Sequence, residues 1–369
     1  MIKINVRNEY ELKEWYNSKL NPIVISKCEK KLEEELSTLL CTKVEFSEKI
    51  IRDILTLGVE ELCKKYSWIN RYYNTVNIYN YYIDLKRYYQ SENLKNKYQQ
   101  FRLDYVKDYS DVFEDYGIIL RKGYENSWDK TEEIIRQLSA KADDVNDAIG
   151  NIFCYDFMPS EVRQELVYRL SIPVCPYCNK QYIQSYKWQN SLRYLGDLDH
   201  IIPKDANPLF SLSLMNLVPS CKSCNQVLKS DKHKLLFNPY YEGFDEHVRL
   251  RLKYKDVESM IGLNDNMDMF WEYDSNLSID KQIKARNAIE MFRLNETYNY
   301  HKSDIRILLR KMYKYSKAYI NCVDDLMNDK STDANFRLTV KEYIGVSLLP
   351  ENFQNEVLSK AFYDVVFYN

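Results

Sequence analysis

Two cysteine pairs constrain this chain more than any other feature. "CPYC" carries Cys175 and Cys178, and "CKSC" carries Cys221 and Cys224. A CxxC pair puts two sulfurs on one tight turn, and two such knuckles complete a tetrahedral four-sulfur site of the kind Zn2+ accepts. Four protein ligands leave no open position on the ion, so the expected zinc is structural. The interval runs for 42 residues, Asn179 through Ser220, longer than the ~15–20 of a simple zinc ribbon. The fold must therefore hold a segment of that length between the knuckles. Redox chemistry is the other use of CxxC, but two such pairs flanking one strand pair fit it poorly.

The other five cysteines, Cys28, Cys41, Cys63, Cys154 and Cys322, are scattered singles, and the total of nine is odd. The opening "MIKINVRNEYELKEW" has no apolar core of a signal peptide. A disulfide framework is therefore not expected, and the cytoplasm is the expected compartment. No run of about 18 apolar residues predicts a membrane span. None of the eight glycines falls in a GxxxxGK or GxGxxG arrangement, which argues against a nucleotide-binding fold within the chain.

Hydrophobic periodicity predicts an α+β fold that is mainly α. Residues 1–165 read as a helical N-terminal region. "SKCEKKLEEELSTLL" opens with Ser26 and Glu29 in capping-box spacing, and "SEKIIRDILTLGVEELCKKY" repeats an apolar stripe from Ser47. Ten tyrosines fall between residues 66 and 105. They read better as helix packing than as a base-stacking platform, since tyrosine is abundant along the whole chain. "PSEVRQELVYRLSI" predicts a helix from Ser160 that leads into Cys175. Residues 166–245 hold the cysteine pairs among short strands and turns. Residues 246–369 begin with two strand-like stretches, "HVRLRLKY" (247–254) and "MDMFWEY" (267–273), and then turn helical. There, Ile305, Leu308, Leu309, Met312, Ser316, Tyr319, Ile320 and Val323 mark one buried face. At 369 residues, two or three domains are expected. No glycine- or proline-rich linker parts them, so the cysteine module reads as an insertion on which both helical regions pack.

Charge is uneven along the chain. Residues 171–235 carry 8 Lys+Arg against 4 Asp+Glu, whereas residues 1–170 carry 26 against 29 and residues 236–369 carry 18 against 21. The only basic part is the one between and around the knuckles, a weak sign of a polyanionic substrate there.

That part also holds the densest chemistry. "GDLDHIIPK" contains Asp197, Asp199 and His200, one of only four histidines, and "NLVPSCKSCNQVLKSDK" contains Asn216 and Asn225. Together these stretches resemble the HNH endonucleases, whose fold is a ββα-metal module. The resemblance covers about residues 172–235. It departs from the usual pattern at Asn225, where many members have histidine, and at Lys229, which stands four rather than three residues farther on. It implies a small ββα-metal module with a four-cysteine zinc site, set between two helical regions.

Phosphodiester hydrolysis needs an activated water, charge relief on the phosphate and help for the leaving 3′-oxygen, and one divalent ion with a nearby histidine can supply all three. His200 is the expected general base, since an imidazole titrates near neutral pH. Asp199 would give the ion a carboxylate and Asn225 an amide oxygen, a set that favours Mg2+ or Mn2+. Asp197 lies two residues from Asp199 and so shares its face of a strand, where it could assist the ion. Asp199 and His200 point to opposite faces of a flat strand, so both serve only at a strand end, which Pro203 makes plausible. The resemblance implies that Asn216 braces the loop between the strands and orients the histidine. Lys222, Lys229 and Lys232 are expected near phosphates.

A looser resemblance, carried by "LFNPYYEGFDEH", "FRLNETYNYHK" and the flanking helices, is to HNH proteins of bacterial anti-phage defence such as the Septu nuclease subunit. It implies a separate ABC or SMC-like ATPase partner and a DNA substrate. A defence effector that cuts RNA or tRNA would use the same residues, and a zinc-stabilised binding scaffold would not need the Asp199, His200 and Asn225 trio.

Overall fold

The computed structural model of the protein describes residues 1–91, 100, 104, 106–107, 109–118, 128–189, 191–230, 232–245, 247–315, 319 and 349–369. Its described part is α+β and mainly helical, with six short strands, β1 to β6, in three separate antiparallel pairs. Among the described residues, no helix is long and apolar enough to cross a membrane.

Helices Glu9–Ile25, Lys30–Leu39, Glu48–Thr56, Val59–Lys65, Ser67–Ser91 and Trp128–Gly150 make most of the first part of the chain. Ser47 caps the third of them by accepting a hydrogen bond from the amide of Ile50 at 3.3 Å, and Ile50, Ile51, Ile54 and Leu55 form its buried face. Each such buried side chain contributes roughly 1.5–3 kcal/mol. The expected capping box at Ser26 does not form. The helix from Glu9 runs on through Pro22 to Ile25, and the Ser26 hydroxyl closes it by donating to the carbonyl of Ile23 at 2.6 Å. The next helix starts only at Lys30, with no side-chain cap. The tyrosine-rich helix Ser67–Ser91 packs along Trp128–Gly150. Tyr72 and Tyr82 are fully buried there, and Tyr88 and Tyr89 nearly so. These tyrosines are packing residues; Tyr98 and Tyr105 lie outside the described residues.

Helix Ser160–Leu170 ends at Ser171, whose φ of 50° turns the chain into the first cysteine pair. Strands β1 (Ser185–Trp188) and β2 (Ser191–Tyr194) pair over their full length. Strand β3 (Asp197–His200) pairs with β4 (Leu217–Ser220), with Asp197 opposite Ser220 and His200 opposite Leu217. Gly196, just before β3, is needed for this pairing. A Cβ there would stand 2.4 Å from the carbonyl oxygen of Ser220. A short, wide-wound helix, Ser223–Lys229, follows β4 directly. The alternating stretches farther on pair as β5 (Val248–Tyr254) and β6 (Met267–Tyr273). Helices Ile279–Met291, Leu294–Tyr298, Lys302–Lys314 and Ser359–Tyr368 complete the described fold. Ile305, Leu308 and Leu309 form the buried face expected of Lys302–Lys314; Ser316, Ile320 and Val323 lie outside the described residues.

One hydrophobic core runs through all three stretches of the chain, from Met1 to Val365, and includes the four paired cysteines. Long-range hydrogen bonds stitch it together. The Ile2 amide donates to the Pro176 carbonyl at 2.8 Å, and the Tyr16 hydroxyl to the Leu212 carbonyl at 2.8 Å. As a result only the start of the connection between β3 and β4 reaches the surface: residues 207–216 are all buried beneath the N-terminal helices.

Candidate metal centre and active site

Each cysteine pair folds as a tight turn. In the first, the amide of Asn179 donates to the Cys175 carbonyl at 2.8 Å, and Asn179 takes the left-handed conformation with φ 51°. Val174 and Tyr182 bridge the two sides of this turn. In the second, the amide of Asn225 donates to the Cys221 carbonyl at 3.0 Å as the helix begins. The ligand atoms of Cys175, Cys178, Cys221 and Cys224 all lie within 4.8 Å of one another, and all four residues are buried. Tetrahedral Zn–S bonds of about 2.3 Å place sulfurs just under 4 Å apart, and Cys178 and Cys221 stand 4.0 Å apart. None of the four is in a disulfide. The cluster therefore fits a structural metal ion such as zinc.

The first turn also carries Asn179 and Tyr177 into the rest of the fold. The Asn179 amide donates to the carbonyls of Phe353 and Glu356 at 2.9 and 3.2 Å, and its oxygen accepts from the Lys360 amide at 3.1 Å. The Tyr298 hydroxyl donates to the Cys178 carbonyl at 2.7 Å. The cluster is thus a junction on which the last helices rest.

Strand β3 presents Asp197 and Asp199 to the helix Ser223–Lys229. Period-two alternation puts both carboxylates on one face, and on the helix Asn225 and Lys229, four residues apart, meet them. Asn225 Nδ2 donates to Asp197 Oδ2 at 3.1 Å, and Lys229 Nζ donates to Asp199 Oδ1 at 3.1 Å. Tyr177 supplies the other partner of Asp199, its hydroxyl donating to Oδ2 at 2.6 Å. Asp199 is buried, and burial raises its carboxyl above the ordinary range even though Lys229 and Tyr177 act against this. Lys229 is not placed for the phosphate contact expected of it. Its side chain is 3% exposed, and Nζ also donates to the His200 carbonyl at 2.6 Å. The physical reason is the wide winding of the helix, in which the Ser230 amide bonds back to the Asn225 carbonyl and turns Lys229 inward. Lys222 and Lys232 are exposed.

His200 occupies the opposite face of β3. Its Nε2 lies 2.8 Å from the Ser211 carbonyl oxygen. A carbonyl only accepts, so Nε2 carries the proton and a neutral ring has its lone pair on Nδ1. Burial pushes the imidazole down to about 4, with Lys204, Lys229 and Arg163 adding to the effect. The ring is therefore neutral near pH 7. It packs against the Tyr155 ring in a T-shaped arrangement with 4.6 Å between centroids.

Asn216 holds the loop that presents Ser211. Its side chain accepts from the Ile202 amide at 2.8 Å and donates to the carbonyls of Ile202 and Phe210, both at 3.0 Å. The Ser211 hydroxyl in turn bonds the Phe153 carbonyl. The carbonyl that orients His200 is thus fixed from both sides.

The sequence-predicted residues come together in three groups rather than one. The four cysteines form the metal cluster. Asp197 pairs with Asn225, while Asp199 pairs with Lys229. His200 stands with Ser211 and Asn216 across the strand. Asp199 and Asn225 share no hydrogen bond. Sequence reasoning missed Tyr177, although it sits inside the "CPYC" turn, and it missed Tyr155 and Arg163, which no motif marks. His301 bonds Asp304 at 3.0 Å, within its own turn.

No family model matches the chain, and no solved structure matches it. It is similar to protein ea31 of Escherichia phage lambda, 22% identical over 181 residues. The match spans 48% of this chain and 54% of that protein, about half of each.

Proposed function

We propose that the protein is a metal-dependent phosphodiester hydrolase of the HNH type, acting on DNA. The observation that carries this reading is His200, whose Nε2 is tied to a backbone carbonyl so that the lone pair for a proton lies on Nδ1; burial holds the ring at about 4, below the near-neutral value expected of a general base. Nδ1 takes a proton from a water molecule, the resulting hydroxide attacks phosphorus, and the bond to the 3′-oxygen breaks. The leaving oxygen takes its proton from solvent.

Asp197 and Asn225 fit a hard divalent ion. The Asn225 amide meets the Asp197 carboxylate through its nitrogen, so the pair would offer an ion one carboxylate and, with the amide turned over, one amide oxygen; Mg2+ or Mn2+ takes one or two such groups together with waters and phosphate oxygens. When bound, the ion supplies charge relief on the phosphate and the leaving oxygen. Asp199, already paired with Lys229 and Tyr177, fixes β3 against the helix and the cysteine turn. The basic balance of residues 171–235 supports a polyanionic substrate. In this reading the flanking helices serve recognition or assembly, with an ABC or SMC-like ATPase of the kind that accompanies Septu-like nucleases as partner, in a defence role against phage.

A second reading is a metal-stabilised scaffold that binds nucleic acid or a partner without cutting. The engagement of both Asp199 oxygens favours it.

The test is incubation of the full-length protein with plasmid DNA and with total RNA, in Mg2+ or Mn2+, with and without a candidate ATPase. Wild type should cut DNA, while His200→Ala should not cut and should melt as wild type does. Cutting of RNA alone would move the substrate. No cutting under any of these conditions, or an active His200→Ala protein, would overturn the hydrolase reading in favour of the scaffold.

A further inference from the structure

Beside His200, two cations share one aromatic ring: Arg163, which no motif marks, and Lys204, the last residue of "GDLDHIIPK". Tyr155 follows helix Trp128–Gly150, and Arg163 lies in helix Ser160–Leu170. The Arg163 guanidinium stands 4.5 Å from the centre of the Tyr155 ring, and the Lys204 ammonium stands 5.6 Å from it. The same ring meets the His200 imidazole in a T-shaped contact. Arg163 is held in place by two backbone carbonyls, Nε donating to Met158 at 3.0 Å and Nη2 to Tyr155 at 3.4 Å. Lys204 is exposed and follows Pro203 at the end of β3. Neither cation has a carboxylate partner among the described residues. Asp156 and Asp197 are close enough to act on the Tyr155 hydroxyl, yet neither forms an ion pair with Arg163 or Lys204.

Elsewhere among the described residues cations do pair with nearby carboxylates, as Arg169 does with Glu165 and Arg251 with Glu272. Two cations without a carboxylate partner around one ring, next to His200, form a place where an anion is favoured. A guanidinium positioned by its own hydrogen bonds loses little freedom when it meets a phosphate oxygen.

We propose that Arg163 and Lys204, gathered by Tyr155, are the phosphate-binding residues that present a nucleic-acid backbone to His200. The inference rests on the nuclease reading of His200 and deepens it, because it places part of the substrate site in the N-terminal helical region. Arg163 and Lys204 hold the phosphate group, Tyr155 keeps the two cations together, and His200 faces the attacking water.

The experiment measures binding apart from cutting. A fluorescein-labelled DNA duplex of about 20 base pairs, long enough to span several phosphate contacts, and the same sequence as RNA, are titrated with full-length His200→Ala protein across a salt series. The companions are His200→Ala with Arg163→Gln and His200→Ala with Lys204→Ala. Each added substitution should weaken binding roughly three- to tenfold at low salt. Each should also lower the slope of log affinity against log salt by about 0.9 for duplex DNA. A merely structural role for Arg163 would not change that slope. Lys204, exposed, keeps the test sound if Arg163→Gln fails to fold. Single-turnover cutting by Arg163→Gln and Lys204→Ala in the wild-type background runs in parallel. Unchanged affinity and slope in both companions would overturn the inference, even where wild type cuts. Loss of binding in the companions of a protein that never cuts would support the phosphate site and remove the hydrolase reading. Tighter binding of the RNA arm would identify RNA as the source of the phosphate.

Discussion

The Tyr177 hydroxyl donates to Asp199 Oδ2 at 2.6 Å, so one side chain joins the cysteine turn to the acidic strand. Tyr177 is fully buried, and its ring stacks on Phe292 with 4.7 Å between centroids. Tyr177→Phe keeps the ring and removes only the donor. Asp199 would then lose one partner in a buried site, which costs about 1–3 kcal/mol. Denaturant unfolding should register this loss, while elemental analysis finds the metal content unchanged. Stability within about 0.5 kcal/mol of wild type would mean that the bond carries no net weight.

Lys229 and Asp199 form a buried ion pair with side chains 3% and 6% exposed. Lys229→Met leaves the carboxylate without its countercharge, and breaking a buried pair in this way costs roughly 3–5 kcal/mol. Adding Asp199→Asn should recover much of that loss, because no unpaired charge then remains. The check is a double-mutant cycle by urea unfolding. Equal stability of the single and double variants would contradict the pairing.

The cysteine cluster should set the stability of the last helices as well as its own turn. Cys178→Ser should empty the cluster of metal, since a structural zinc supplies much of the folding energy of such a site. Asn179 and the Cys178 carbonyl hold Phe353, Glu356, Lys360 and Tyr298. The segment 349–369 should therefore become sensitive to protease in Cys178→Ser and in chelator-treated protein. Metal loss with that segment still protected would show that the junction holds without the ion.

Acid should weaken the fold through His200. Its folded value is about 4, below the ordinary 6.5, because burial disfavours the charged ring. Between these values the unfolded chain binds a proton that the folded chain does not, so stability falls as pH drops from about 6.5 to about 4. The full effect is about 3 kcal/mol. His200→Gln keeps a donor for the Ser211 carbonyl and cannot titrate. Its stability should therefore lose about 3 kcal/mol less than wild type between pH 7 and pH 4. Both proteins keep the four cysteines, so acid release of metal cancels in the comparison. Parallel pH curves would contradict the buried, neutral histidine.

Much of the local order was legible in the sequence because it depends on spacing. The two CxxC pairs defined a four-sulfur cluster without reference to anything else. Alternation set β5 against β6, and it placed Asp197 and Asp199 on one face of β3 with His200 on the other. Ser47 and Ser160 marked real helix starts. Ser26 did not, because the preceding helix kept its apolar face buried through Val24 and ran on past the expected break.

What spacing could not decide was which neighbours each polar group would find. Asp199 takes its partners from 22 residues before it and 30 residues after it, and His200 takes the Ser211 carbonyl from a loop that only burial under the N-terminal helices makes rigid. Lys229 reads as a surface cation in one dimension, yet the wide helix turns it onto a buried carboxylate. Arg163 and Tyr155 carry no motif and reach His200 only through the packing of the chain. Periodicity and ligand spacing are properties of adjacent residues, so the sequence alone determined the elements and the cysteine cluster. The partner and burial of a charge depend on the elements packed around it, and those only the tertiary structure decided.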